Sequence, residues 1–145
     1  MPEVYMQKII LPLLTLVLIL AACQTGKSDI AGEKVNVDGG SYTNIDSQQL
    51  NMMLKKKGFV MVNVHIPFAG NIHDTDLSIP YDRITESQYL AQLPVDKNAR
   101  IVLYCRSGRM SQIAADELVS LGYTNIWNLK NGMVEWEHAG FKLEK

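Results

Sequence analysis

The residues that most plainly carry chemistry form one short run, Cys105-Arg106-Ser107-Gly108-Arg109-Met110-Ser111, directly behind the apolar stretch Ile101-Val102-Leu103-Tyr104. An apolar strand, a glycine-containing loop and then a helix put the sulfur beyond the carboxyl end of a sheet strand, where open α/β sheets bind ligands. Gly108 lets the chain fold back so that successive N–H groups point inward as an anion nest. The helix after the loop adds about half a positive charge at its N-terminus, and Arg106 and Arg109 add full ones. All of these favour thiolate over thiol, so Cys105 reads as a nucleophile and not as a small buried hydrophobe. Cys105 is the candidate catalytic residue. Arg106, Ser107, Gly108, Arg109 and Met110 form the loop that would hold an anionic substrate.

The elements that must position this loop follow from hydrophobic periodicity. Residues 59–64, Phe-Val-Met-Val-Asn-Val, are apolar at five of six positions and β-branched at three, which suits a strand buried on both faces. Residues 101–104 form a second such strand. Ile113, Ala114, Leu118 and Leu121 then recur at helical spacing, with Gly122 closing the helix. Residues 125–129 read as another strand, and Asn131-Gly132 turns the chain into a short final helix carrying Met133-Val134-Glu135-Trp136. Upstream, Tyr42-Thr43-Asn44-Ile45 predicts a short edge strand. Asp46 or Ser47 caps a helix with Leu50, Met53 and Leu54 on one face, and Gly58 suits its end. Between the two buried strands, Ile79-Pro80 fits a short strand, and a helix is predicted near residues 86–93 with Thr85 and Gln88 as its capping box. Strands alternating with helices predict an α/β domain with a mainly parallel sheet flanked by helices on both faces.

The whole chain has 145 residues, 47% hydrophobic and 20% charged, which gives room for one compact domain and not for two. Fourteen Lys and Arg against fifteen Asp and Glu leave a net charge of −1, which removes the electrostatic argument for a nucleic-acid partner. Two cysteines are too few for a disulfide framework or a four-thiolate zinc site. His65, His73 and His138 pair with no other ligand set at helical spacing, so neither a metal nor a cofactor is expected. His65, at the carboxyl end of the first buried strand, and His73 are candidates for the pocket rim. Asp74 and Asp76 start like a calcium loop, but Ile79 stands where glycine is needed and no glutamate closes it. Trp127 and Trp136 are expected in the core.

The apolar residues are concentrated at the start. Residues 9–22 form an uncharged run of 14, shorter than a membrane-spanning helix needs, with Lys8 before it and small residues at its end. Leu20-Ala21-Ala22-Cys23 resembles a bacterial lipobox. That resemblance implies cleavage before Cys23 and lipidation of its sulfur. The organisation expected is a lipoprotein signal peptide over residues 1–22, a flexible tether over 23–41 and a folded domain over 42–145. The protein would then be exported and held on a membrane facing the periplasm or the cell exterior. Glu3 is out of place in a signal's basic region, whereas Met6-Gln7-Lys8 would open one cleanly, so translation is expected to start at Met6.

Over residues 42–143 the chain resembles the single-domain rhodanese family of sulfurtransferases. The resemblance rests on the ordered set Tyr104-Cys105-Arg106-Ser107-Gly108-Arg109-Met110-Ser111, Ala114-Ala115 with Leu118, Gly122-Tyr123-Thr124-Asn125-Ile126 and Asn131-Gly132-Met133-Val134-Glu135-Trp136. It implies a rhodanese-like fold, an active loop over residues 105–110 and a persulfide on Cys105. Sulfur would pass from thiosulfate or a similar anionic donor to cyanide or a thiol. Three departures stand out. Asn63-Val64-His65 replaces a common Asp-Val-Arg triplet, Gly70-Asn71-Ile72-His73-Asp74-Thr75 replaces Gly-His-Ile-Pro-Gly-Ala, and Met110 ends the loop where Arg or Thr is common. None removes the nucleophile.

Two other readings compete. Phosphatases and arsenate reductases also place a cysteine in an anion loop. The Cys-x5-Arg phosphatases, however, need arginine where this chain has Ser111, and others on this fold have a longer loop. A non-enzymatic module would accept sulfur from a protein partner and relay it with little turnover of small donors.

Overall fold

The computed structural model describes residues 30–145. The expected signal segment, the two candidate start methionines, Cys23 and the first part of the expected tether lie outside these residues. In chain order the elements are β1 (Glu33–Val37), β2 (Gly40–Ile45), α1 (Ser47–Leu54), β3 (Val60–Asn63), β4 (Asn71–Ile72), β5 (Leu77–Ser78), a 3-10 turn (Tyr81–Arg83), α2 (Ser87–Leu90), β6 (Ile101–Tyr104), α3 (Arg109–Ser120), β7 (Ile126–Leu129), α4 (Gly132–His138) and β8 (Leu143–Glu144).

Six strands form one sheet in the order β1-β2-β7-β6-β3-β5, and β4 pairs with β8 in a small separate ladder. Only the β1–β2 pair in the large sheet is antiparallel; the other four pairings are parallel. The period of two along the strands divides the core. Met61, Val102, Tyr104 and Leu129 face Leu50, Met53 and Leu54 of α1 and Met133 and Trp136 of α4. Val62, Ile101 and Leu103 face Ala114, Ala115 and Leu118 of α3 together with Ile79, Ile84 and Leu93. Helices therefore cover both faces, as the alternation of strands and helices predicts. No described helix is long and apolar enough to cross a membrane.

Local sequence explains where the elements start. Asp46 caps α1 by accepting from the Gln49 N–H at 2.8 Å while Gln49 reaches back to the Asp46 N–H at 2.9 Å, a reciprocal capping box. The helix ends at Leu54, capped by Lys55, and so stops short of Gly58. The helix near residues 86–93 is reduced to the single turn of α2, with Glu86 at its N-cap position and no side-chain cap. Its chain packs through Leu93 and Ile84, so burial of a few apolar residues holds it without a longer helix. The strand near Ile79-Pro80 lies two residues earlier, as β5 beside β3.

The larger correction concerns the tether. Its second half, from Glu33 onward, is β1 of a hairpin, with Val35 opposite Tyr42 and Val37 opposite Gly40 across the turn at Asp38-Gly39. Val35 and Val37 pack on the α3 face of the core, and this burial favours a strand over a free chain despite the polar composition. β2 is consequently interior between β1 and β7 and not an edge. Asn128 Nδ2 donates to Asn44 Oδ1 at 2.8 Å across the β2–β7 seam.

Candidate active site

β6 is buried along its whole length between β3 and β7, and Cys105 follows it with 1% of its surface exposed. Among the described residues, two polar groups reach the sulfur. The Gly108 N–H donates to Sγ at 3.0 Å, and the Ser111 hydroxyl lies 3.5 Å from Sγ and 3.0 Å from the Gly108 carbonyl oxygen. Gly108 has φ +97°, which turns its N–H inward before α3 starts at Arg109. The positive end of α3 therefore lies at the loop that holds the sulfur.

The outward side of the loop is fixed by α4. The Met133 N–H donates to the Cys105 carbonyl at 2.9 Å and the Val134 N–H to the Arg106 carbonyl at 3.0 Å. Free N–H groups at a helix start need acceptors, and here the loop supplies them. With the Cys105 and Arg106 carbonyls drawn toward α4, the Gly108 N–H is the loop donor that reaches the sulfur. Two glycines permit this close approach. A Cβ at Gly132 would overlap the Cys105 carbonyl oxygen, and one at Gly108 would overlap that of Lys130. Arg106, Ser107 and Arg109 are exposed, and Met110 is partly buried against the core. Among the described residues, neither arginine forms an ion pair.

His65 lies just past the end of β3, next to this loop. β3 and β6 pair Asn63 with Tyr104, and the Val64 N–H donates to the Tyr104 carbonyl at 2.8 Å, so the chain at His65 runs on beside residues 105–106. Burial, and then the positive charge of Arg106, pushes the His65 imidazole below its ordinary value of 6.5. Its Nδ1 is buried without a hydrogen-bond partner. His73 is held elsewhere. Its Nδ1 is 3.0 Å from the Asp74 carboxylate, and its ring lies against Trp136 with centroids 5.8 Å apart. No hydrogen bond joins His73 to the Cys105 loop. His138 ends α4, exposed. Trp136 is fully buried, whereas Trp127 is partly exposed under the Arg100 guanidinium at 4.7 Å. Asp76 accepts from the Met61 N–H at 2.7 Å and from Lys57 at 2.6 Å, so its carboxylate ties down β3.

Three contributors to the site carried no sequence signal of their own role. Asn63 is buried. It accepts from the His65 N–H at 3.0 Å and donates to the Gly70 carbonyl at 3.0 Å and to Asn71 Oδ1 at 2.9 Å. An amide that donates and accepts thus closes the loop over residues 65–70, where an aspartate would accept only. Tyr104, the residue before the nucleophile, takes the Ile72 N–H at 3.1 Å and lies 2.8 Å from Thr75 Oγ1. Gly132 was legible as a turn but not as the support of the sulfur loop.

A cysteine that opens a glycine-containing loop, between the carboxyl end of an interior strand of a mainly parallel α/β sheet and the start of a helix, is the arrangement of a class of α/β proteins. Within that class the chain belongs to the rhodanese-like family: residues 59–139, more than half its length, match the rhodanese-like domain. A sulfurtransferase of Allochromatium vinosum is 30% identical over 103 residues, covering 68% of this chain and 92% of that one. A mitochondrial protein of Schizosaccharomyces pombe, provisionally named a thiosulfate sulfurtransferase, is 33% identical over 91 residues. This covers 55% of the present chain and spans 64% of that relative's length. Among solved structures, a rhodanese-like domain protein of Staphylococcus aureus has the same fold, with a TM-score of 0.57 and 24% identity over 70% of this chain and 98% of that one.

Proposed function

We propose that this protein is a sulfurtransferase that carries sulfane sulfur as a persulfide on Cys105. One observation carries the reading: the Cys105 sulfur receives the Gly108 N–H at 3.0 Å in a loop whose two arginines have no ion-pair partner among the described residues. Such a loop favours the thiolate and attracts a small anion to it. The Cys105 thiolate attacks the outer sulfur of thiosulfate; the S–S bond breaks and sulfite leaves with the electron pair. Charge is conserved, since a thiolate and a dianion become a persulfide anion and sulfite. Cyanide or a thiolate acceptor then bonds to the outer sulfur, and the Sγ–S bond breaks to return the Cys105 thiolate. The arginines and inward N–H groups neutralise the departing charge. The names of the relatives favour the same chemistry. We further propose that the domain works at a membrane surface, exported and anchored through a lipid on Cys23.

Intact-mass measurement tests the reaction. The soluble protein beginning at residue 24, incubated with thiosulfate, should gain the mass of one sulfur atom, and cyanide should remove it as thiocyanate. Cys105→Ser should show neither. No adduct with thiosulfate or any other small donor, but sulfur uptake from a persulfidated protein, would replace the enzyme with a relay module. Turnover of a phosphate ester would point to a phosphatase.

A further inference from the structure

Ser111 stands outside the loop of residues 105–110, yet its hydroxyl is in contact with the reacting sulfur. The side chain is fully buried, with Oγ 3.5 Å from Cys105 Sγ and 3.0 Å from the Gly108 carbonyl oxygen. A serine hydroxyl has one proton and can serve one of these acceptors at a time. The Gly108 carbonyl does not depend on it, because the Gln112 N–H also donates to that oxygen at 3.1 Å. Turning the hydroxyl toward the sulfur therefore leaves no buried polar atom unpaired.

We propose that Ser111 is a catalytic residue for sulfur release: its hydroxyl donates to Cys105 Sγ when that atom is anionic and returns to the Gly108 carbonyl when Sγ is bonded to a second sulfur. The inference rests on the persulfide reading above. A thiolate is a strong acceptor for a neutral donor, whereas the inner sulfur of a persulfide, with its charge moved to the outer atom, is a weak one. In the second half-reaction the acceptor bonds to the outer sulfur, the Sγ–S bond breaks and its electron pair goes to Sγ. Charge appears on Sγ as the bond breaks, and Ser111 together with the Gly108 N–H meets it. In the first half-reaction the same hydroxyl stabilises the starting thiolate, so it does not lower that barrier. Interactions accelerate a step only when they are stronger in its transition state than in its ground state.

The two half-reactions separate in rapid-mixing experiments on the soluble protein. Ser111→Ala should discharge a preloaded persulfide to cyanide about tenfold more slowly. The loss should be smaller than the hundredfold or more that removal of an oxyanion-hole donor costs, because sulfur is the weaker acceptor. Loading from thiosulfate at alkaline pH should not slow and should rise by no more than about threefold, since the hydroxyl holds the starting thiolate more strongly than the transition state in which charge is leaving Sγ. Ser111→Thr, which keeps the hydroxyl, should restore discharge. A purely structural role would slow both halves together, and that result, or an unchanged discharge rate, would overturn the proposal. Ser111→Gly gives the same comparison if the alanine variant does not fold. Alkylation by iodoacetamide keeps Ser111 testable without sulfur transfer. Near neutral pH it should be several-fold slower in Ser111→Ala and should converge with wild type in strong alkali, where every thiol is ionised. If wild type forms no persulfide but alkylation differs in this way, the sulfurtransferase reading fails and the Ser111–thiolate bond stands. If alkylation is the same at both pH values, the hydroxyl does not serve the thiolate.

Discussion

Cys105 is nearly inaccessible, and its polar partners are a backbone N–H, that of Gly108, and the Ser111 hydroxyl. His65, just past the end of the neighbouring strand β3, titrates under two influences of the same sign, burial and the charge of Arg106, both of which disfavour the imidazolium. Above its ordinary value of 6.5 the ring is neutral in folded and unfolded chains alike and adds no pH dependence. As pH falls below that value the unfolded chain takes up the proton first, so stability drops until the lower folded value is reached. Urea unfolding at a series of pH values between about 7 and about 5 should therefore show a steeper loss for wild type than for His65→Gln. Parallel curves would mean that the ring is not desolvated as the geometry indicates.

At the scale of elements, the site depends on β6 being anchored at its last residue. The Tyr104 hydroxyl takes the Ile72 N–H, approaches Thr75 and donates to Asn71 Oδ1 at 3.2 Å, which binds the β4 region to the strand that carries the nucleophile. Tyr104→Phe keeps the packing but leaves a buried N–H without its acceptor, a loss of about 1–3 kcal/mol. Thermal unfolding should register this destabilisation. Cys105 should still load sulfur in the variant, because α3 and α4, and not the Tyr104 hydroxyl, hold the loop itself. Much of this element level was legible in the sequence. β6 coincides with the apolar run Ile101-Val102-Leu103-Tyr104, and the Asp46 cap and the helix carrying Ile113, Ala114 and Leu118 lie where short-range spacing places them. The misplaced elements are those whose signal is not local. β1 has two valines among polar residues, and α2 is held by packing and not by helical periodicity.

At the scale of the molecule, the chain holds two cysteines, and their fates set the chemistry available. If Cys23 is lipidated, Cys105 is left as the single thiol, and no second thiol in the same chain can trap it as a disulfide. Cells expressing the full chain and fed radiolabelled palmitate should yield a labelled, membrane-associated protein. Cys23→Ser should abolish the label and leave the unprocessed form. Label that persists in the serine variant would remove the anchor from this account. β1 also shortens the reach of any such tether, because the folded domain begins about nine residues earlier than composition indicates.

The sequence by itself determined the mainly parallel α/β architecture and the family, and it singled out Cys105 and its cationic loop as the candidate site. These are written in residue type and short spacing: a cysteine after an apolar strand, glycine at a positive φ, arginines within four residues, and apolar periods of two and 3.6. Only the tertiary structure decided what faces the sulfur and what holds the loop. The N–H groups of Met133 and Val134 and the Gly132 contact act between segments that the sequence keeps apart, and the Ser111 hydroxyl and the Asn63 clasp act across turns whose shape spacing alone does not give. The physical reason is that a hydrogen bond has a direction and a length. A residue's type states what it can donate or accept, and only the folded chain fixes which partner lies within reach.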